Sequence, residues 1–451
     1  MNPPLTYRQH SYALLALGLP LIGSHLAQIA IVVTDSLMLG WYSVEALAAI
    51  TLASSAAFVL FIVGSGFAFA VLPMVAAAVA EGDETQVRRV TRMGMWISAL
   101  YGGLIMPPLI WSEPILLAIG QEPEIAELAA QYLRIFSIGM VPSLLVMVLK
   151  NYLAALERTQ IVLWVTIAAA ALNVLVNYAL IFGNLGAPEL GIRGAAIASV
   201  VLQIFTLVTI CIYTIKVTPE HAMFQRLWRP DPEAFKRVFR LGWPIGLTNL
   251  AESGLFSASA VMMGWLGAIP LAAHGIALQL AAITFMVHLG LSQAATVRAG
   301  HDLGHKDGRS LRDGAVVVTC MSVLFAGVAI AMYLTIPEFL LGLFLDPLDP
   351  DRPEIIIAGV ALLAVAALFQ LVDGAQVIAL GLLRGLQDTQ APMIIATFSY
   401  WIIGMPASYV MGFWLGWGGI GVWMGLVVGL TCAAILLMAR FWRQGVAQVP
   451  V

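Results

Sequence analysis

Apolar residues in this chain come in long unbroken runs, and polar residues are gathered into the short stretches between them. The runs are too long for strands and apolar on every face, so they are not the one-sided stripes of soluble helices. Runs of the roughly 20 residues needed to cross a hydrocarbon core recur about twelve times, with approximate limits 12–40, 46–78, 87–112, 125–150, 159–183, 191–215, 238–266, 270–300, 311–338, 355–383, 392–416 and 419–440. Several exceed the minimum span, which implies tilt, kinks or protrusion into water. The expected fold class is an all-α polytopic membrane protein with about 12 transmembrane helices.

Composition agrees with the pattern. The 451 residues are 61% hydrophobic and 10% charged, against about 45–50% and 25% in soluble domains, and the mean hydropathy is +0.92. The net charge of -3 offers no basic surplus for nucleic acid, which is excluded as a partner. The N-terminal apolar run is longer than a signal peptide's core and lacks its cleavage site, so it reads as a retained first helix. Cys211, Cys320 and Cys432 stand singly in apolar segments with no CxxC spacing, and are read as packing residues.

Basic residues are ordered along the chain. Arg8, Arg88, Arg89, Arg92, Lys150, Arg158, the group from Lys216 to Arg240, then Lys306, Arg309, Arg312, Arg384, Arg440 and Arg443 fall on one side of alternating connections. The other connections are neutral or acidic, with Glu113, Glu122, Glu124, Asp346, Asp349 and Asp351. The positive-inside rule makes the basic side cytoplasmic and puts both termini there.

The sequence repeats itself. At an offset of 224, Leu17, Gly18, Pro20, Leu26, Ala27, Met38, Gly40, Trp41 and Leu47 fall on Leu241, Gly242, Pro244, Leu250, Ala251, Met262, Gly264, Trp265 and Leu271. The match runs on through Phe61, Gly66 and Asp83 onto Phe285, Gly290 and Asp307, and at 230 "LERTQ" meets "LQDTQ". Two homologous halves follow: an N-terminal six-helix lobe over 1–215, a cytoplasmic linker over 216–237 and a C-terminal six-helix lobe over 238–451. An even number of crossings relates them by a pseudo-two-fold axis along the membrane normal, a geometry that leaves a central cavity and suits alternating access.

Charges deep in a helical bundle cost a few kcal/mol or more and are functional candidates by default. Glu252 lies midway along the seventh helix, with Gln28 as its repeat mate; Asp373 lies mid-way in the tenth; Asp35 lies nearer the outer end of the first, opposite Ser259 in the repeat. Such carboxylates can exchange protons or offer hard oxygens to Na⁺, and both chemistries stay open beside a static polar contact. In the fifth helix Asn173 and Asn177 stack at i, i+4 and would form a polar pocket with Asp35. His274, Gln279 and His288 are secondary polar candidates, with hydrogen-bonded structural histidines as the simpler reading. The small-residue pairs of "GLLRG" and "GLVVG" read as close helix contacts.

Catalytic signatures fail in context. "GWGGIG" from Gly416 sits in a tight connection between apolar runs rather than between a strand and a helix, and no lysine follows a glycine to make a phosphate-binding loop. No HExxH or nucleophile elbow is present. The chain is expected not to be an enzyme.

The segments "VVTDSLMLG", "ALNVLVNYALIFG" leading to "LGIRGAAIAS", "GWPIGLTNLAES" and "FQLVDGAQVIALGLLRGLQDTQ" resemble the multidrug and toxic compound extrusion family, in its NorM-like branch, over essentially the whole length. The resemblance implies V-shaped halves around the cavity and cation-coupled antiport of cationic amphipathic compounds. It implies a coupling-cation site at Glu252 and Asp373, with H⁺ or Na⁺ as coupling ion and Na⁺ the only metal, and an N-lobe polar or cation site at Asp35, Asn173 and Asn177. No cofactor is expected. Partners are small cationic or amphipathic molecules and membrane lipid, the chain acts as a monomer, and its place is a bacterial inner membrane. Another branch has Asp where Asn177 stands and lacks the acids of helices seven and ten; this chain departs from it on both counts. The alternative is a lipid or lipid-linked oligosaccharide flippase of the related superfamily, which would need a cationic cavity, whereas the intramembrane charges here are mainly acidic.

Overall fold

The computed structural model describes residues 5–449. Among them all regular structure is helical, and the long elements are α1 (Tyr7–Tyr42), α2 (Val44–Ala80), α3 (Glu84–Ile110), α4 (Pro123–Ala155), α5 (Thr159–Phe182), α6 (Ile192–Val217), α7 (Pro232–Leu266), α8 (Ala268–His305), α9 (Gly308–Thr335), α10 (Arg352–Gly385), α11 (Gln390–Trp414) and α12 (Gly418–Gln448). Each apolar run of the sequence has become one helix, because a backbone without access to water must satisfy its own hydrogen bonds. Eleven of the twelve are long and apolar enough to cross a membrane; α7 is the one that is not, despite its 35 residues. Asn249, Glu252, Ser253, Ser257 and Ser259 interrupt its apolar character.

The repeat is visible element by element. The limits of α1, α2 and α3 fall on those of α7, α8 and α9 at the sequence offset, to within a residue or two at most ends. Even the caps recur. Asp83 opens α3 by accepting from the Gln86 amide at 2.9 Å, and Asp307 opens α9 by accepting from the Ser310 amide at 2.9 Å. The short helices Ser112–Ala118 and Pro337–Gly342 occupy equivalent connections. Where α4 and α10 end, Glu157 and Gln387 both take up left-handed backbone, at φ 60° and 59°. Residues 415–417, around the candidate GxGxxG, form the tight turn between α11 and α12, with Gly416 and Gly418 at positive φ.

Contacts divide the chain into two compact units, one of residues 23–246 and one of residues 1–22 with 247–451. The sequence repeat breaks in the linker, but packing divides elsewhere: α1 changes unit after Ile22 and α7 after Gly246, in each case two residues beyond the repeated prolines Pro20 and Pro244. A proline inside a helix removes an i to i−4 hydrogen bond and marks a natural bend. The linker 216–237 belongs wholly to the 23–246 unit.

In the 23–246 unit, Ala46, Ala49, Ile50, Ala53 and Ala57 form one buried face of α2, packed with Leu133 and Met140 of α4 and Ile181 of α5. Gly66 lies so close to the backbone of Gly242 and Gly246 that no side chain fits between α2 and the first part of α7. In the other unit the repeat mate Gly290 meets Ile22 on the first part of α1 in the same way. The glycines of "GLLRG" fit the close-packing reading, with Gly381 against Ser292 and Gly385 against Thr296. Large apolar side chains such as Leu104, Leu324 and Ile357 lie 72–73% exposed on their helices, the inverse of a soluble surface and suited to lipid.

Most of the basic residues expected in connections lie inside the ends of helices, and Lys150 and Arg384 lie where an apolar run was expected to have stopped. Lys150 sits in α4, its Nζ donating to Thr166 Oγ1 at 2.9 Å, and Arg384 lies in the last turn of α10, donating to Asn249 Oδ1 at 2.9 Å. Both helices continue past the ends of their apolar runs, at residues 150 and 383, because a cation hydrogen-bonded to a polar neighbour can stay in the helix.

Candidate functional site

In the 23–246 unit the sequence-predicted residues Asp35, Asn173 and Asn177 meet in one polar cluster. Asp35 on α1, 8% exposed, accepts from Asn173 Nδ2 at 2.9 Å and from Asn177 Nδ2 at 2.5 Å, both on its Oδ1. The i, i+4 spacing on α5 stacks the two carboxamides one turn apart, so both nitrogens reach one oxygen. An ionised carboxylate only accepts, which orients each carboxamide with its nitrogen toward Asp35. Oδ1 of Asn173 and Oδ1 of Asn177 are then buried acceptors without a hydrogen-bond partner. Tyr132 on α4 is close enough to feel the Asp35 charge, and its hydroxyl pairs with Ser199 at 3.4 Å.

The other unit carries a second cluster. Gln370, Asp373 and Gln376 follow one another at i, i+3, i+6 on α10, so they share one helix face, and none is more than 1% exposed. Gln376 Nε2 donates to Glu252 Oε1 on α7 at 2.6 Å, and Tyr400 on α11 donates its hydroxyl to Gln376 Oε1, with Asp373 one helical turn before Gln376 on the same face. Glu252 and Asp373 are near enough to interact electrostatically, and Arg384 also acts on Glu252. Oδ1 of Asp373 and both polar atoms of Gln370 are buried with no hydrogen-bond partner. An unpartnered buried acceptor costs roughly 1–3 kcal/mol, so each cluster has oxygens that a proton or a small cation would satisfy.

The secondary candidates lie apart from these bonds. His274 Nδ1 accepts from Trp423 Nε1 at 3.0 Å, and His288 Nδ1 pairs with Ser322 Oγ at 2.9 Å, so both histidines are tied to structural partners. Gln28 and Gln279 are exposed on their helices, and Ser259, the mate of Asp35, bonds back to the Phe256 carbonyl at 2.7 Å. Reasoning from sequence missed Gln370, Gln376, Tyr400 and Arg384. For the two glutamines the signal was present, since both stand three residues from Asp373. Tyr400 comes from another helix, and nothing in its local sequence marks it.

Two helical repeats of membrane-length helices, each holding a buried carboxylate among carboxamides, define a polytopic membrane protein. The chain belongs to the MatE family: the family's model matches residues 20–179 and 244–410, one stretch in each half. It is 48% identical over 437 residues to "Probable multidrug resistance protein NorM" of Rhizobium meliloti, covering 96% of this chain and 93% of that one. It is 45% identical to the protein of the same description from Agrobacterium fabrum, with the same coverage. Among solved structures, the outward-facing conformation of a multidrug resistance MATE family transporter of the MOP superfamily superposes with a TM-score of 0.88 at 19% identity, over 98% of this chain and 96% of that one. A eukaryotic MATE transporter gives 0.86 at 17%, over 98% of each chain. The fold and the family resemblance read from the sequence are met over nearly the whole chain.

Proposed function

We propose that this transporter is an antiporter of a bacterial inner membrane, with both termini cytoplasmic. It exports cationic amphipathic compounds by alternating access, coupled to inward movement of H⁺ or Na⁺. The extreme terminal residues lie outside the described ones; the orientation rests on the basic connections. The observation that carries the reading is the cluster in which Gln376 donates to Glu252, Glu252 and Asp373 lie within electrostatic reach of each other, and Asp373 Oδ1 and Gln370 are left unpartnered. Two acids and a carboxamide oxygen suit a proton or Na⁺, both of which favour hard oxygen donors.

In the outward-open state the ion loads onto Glu252 and Asp373, neutralises them and weakens the hold on a cationic compound, which leaves. In the inward-open state the ion departs and the bared carboxylates attract the next compound. Coupling requires that ion and compound differ in affinity between the two states, since equal binding shifts nothing. Asp35 with its two asparagines is a second cation site in the other unit.

Reconstitution into liposomes with a fluorescent cationic substrate, imposing a pH gradient and a Na⁺ gradient separately, tests the proposal. Substrate movement driven by one of them is expected, and transport driven by neither would sink it.

A further inference from the structure

Where the linker docks on α3, a cavity of about 460 Å³ is lined by four arginines, Arg88, Arg89, Arg92 and Arg229, and by one carboxylate, Asp231. The arginines are differently occupied. Arg89 is paired, through Nε and Nη2 with Asp231 and through Nη2 with Glu233 at 2.8 Å. Arg92 spends its donors on the linker carbonyls of Met223 and Ala222, both at 2.9 Å. Arg88 and Arg229 make no side-chain hydrogen bond or ion pair among the described residues. Arg88 and Arg226 are close enough to Arg92 for their like charges to repel it. Two carboxylates, Asp231 and Glu233, both spent on Arg89, against four guanidinium groups leave the cavity net positive at Arg88 and Arg229, and arginine forks match the tetrahedral oxygens of phosphate.

Trp96 and Trp228 lie exposed beside the cavity, and Trp96 Nε1 donates to the Leu227 carbonyl at 2.7 Å. Tryptophans with one polar anchor and an exposed ring are characteristic of the level of lipid headgroups, and basic pockets at that level on the cytoplasmic side hold headgroup phosphates. We propose that this cavity binds a phosphate-bearing anion, either an anionic phospholipid headgroup or free inorganic phosphate, between α3 and the linker. Arg88 and Arg229 clamp it from the two sides, while Arg89 and Arg92 hold the linker in place. The bound anion relieves the repulsion among the arginines and so tightens linker docking.

The full-length protein, purified in neutral detergent and stripped of lipid, is titrated with phosphatidylglycerol, with phosphatidylcholine and with inorganic phosphate, and binding is followed by tryptophan fluorescence and native mass spectrometry. Saturable uptake of phosphatidylglycerol that phosphate does not displace assigns the lipid; saturable uptake of phosphate alone assigns the free ion. In either case Arg88→Gln with Arg229→Gln weakens binding about tenfold or more, and Arg309→Gln with Arg312→Gln, outside the cavity, leaves it unchanged. Should the double variant not fold, Arg229→Gln alone, on the exposed linker, is expected to weaken binding at least threefold. The proposal is overturned if neither probe saturates on the unaltered protein, or if the folded Arg229 variants bind as the unaltered protein does.

Discussion

Gln376 donates its carboxamide hydrogen to Oε1 of Glu252 at 2.6 Å. Its own oxygen is taken by the Tyr400 hydroxyl, so the carboxamide cannot turn over without breaking that bond. The donor is therefore held on Glu252.

Glu252→Gln and Asp373→Asn are each expected to lower gradient-driven efflux tenfold or more at normal expression, since a carboxamide neither takes up a proton nor attracts a cation as a carboxylate does. Tyr400→Phe keeps the ring but leaves the buried Gln376 oxygen unpartnered, and a several-fold loss of transport is expected together with a lowered thermal unfolding temperature. Efflux assays in whole cells, with expression checked by immunoblot, decide the matter. Full efflux by the first two variants removes the coupling role.

Asp35→Asn takes an ionised acceptor away from two buried carboxamide donors. Three carboxamides must then share hydrogens, and a stability loss of about 1–3 kcal/mol is expected from the weaker and partly unmade bonds. Denaturation of the detergent-solubilised protein measures it. An unaltered midpoint would mean that the asparagines find other partners.

Gly66 and Gly290 are equivalent in the repeat and do equivalent work, each letting a helix backbone pass at closest approach. Leucine at either position has to push a backbone aside, a cost of roughly 1–3 kcal/mol or more. Gly66→Leu should lower the unfolding temperature, and Gly290→Leu should do so to a similar extent; Gly327, with open space around its Cβ position, is the control.

The Arg89 guanidinium beside Asp231 holds its carboxyl below the ordinary value of 3.8. A carboxylate whose folded pKa is depressed stabilises the fold above its unfolded pKa, and that stabilisation is lost as pH falls through the folded value. Asp231→Asn is therefore expected to lower stability modestly at pH 7, with the difference from the unaltered protein shrinking below about pH 4. Unfolding temperatures measured from pH 7 down to pH 3 check the convergence. A gap that widened toward low pH would contradict the pairing.

Helix positions were readable because lipid-spanning segments must be long and apolar, and the run at 159–183 became Thr159–Phe182 with almost no change. The helix ends were less readable: Lys150 looks like a loop residue until Thr166 is seen beside it. The acids announced themselves by their cost in an apolar setting, and Asn173 and Asn177 by their spacing. What the sequence could not disclose was convergence from distant segments, as where Tyr400 meets Gln376 and Gln376 meets Glu252. Nor does the repeat reveal that packing divides at residues 22 and 246 rather than in the linker.

That last division has a consequence for a severed chain. A cut in the linker near Arg226 yields two fragments, and neither coincides with a compact unit. The first fragment keeps residues 1–22, which pack with 247–451; the second keeps the stretch up to Gly246, which packs with 23–225. Each piece thus lends an arm to the other, in the manner of exchanged segments in a domain-swapped dimer. Two separately synthesised halves carry in α1 and α7 the means to find each other without a peptide bond between them.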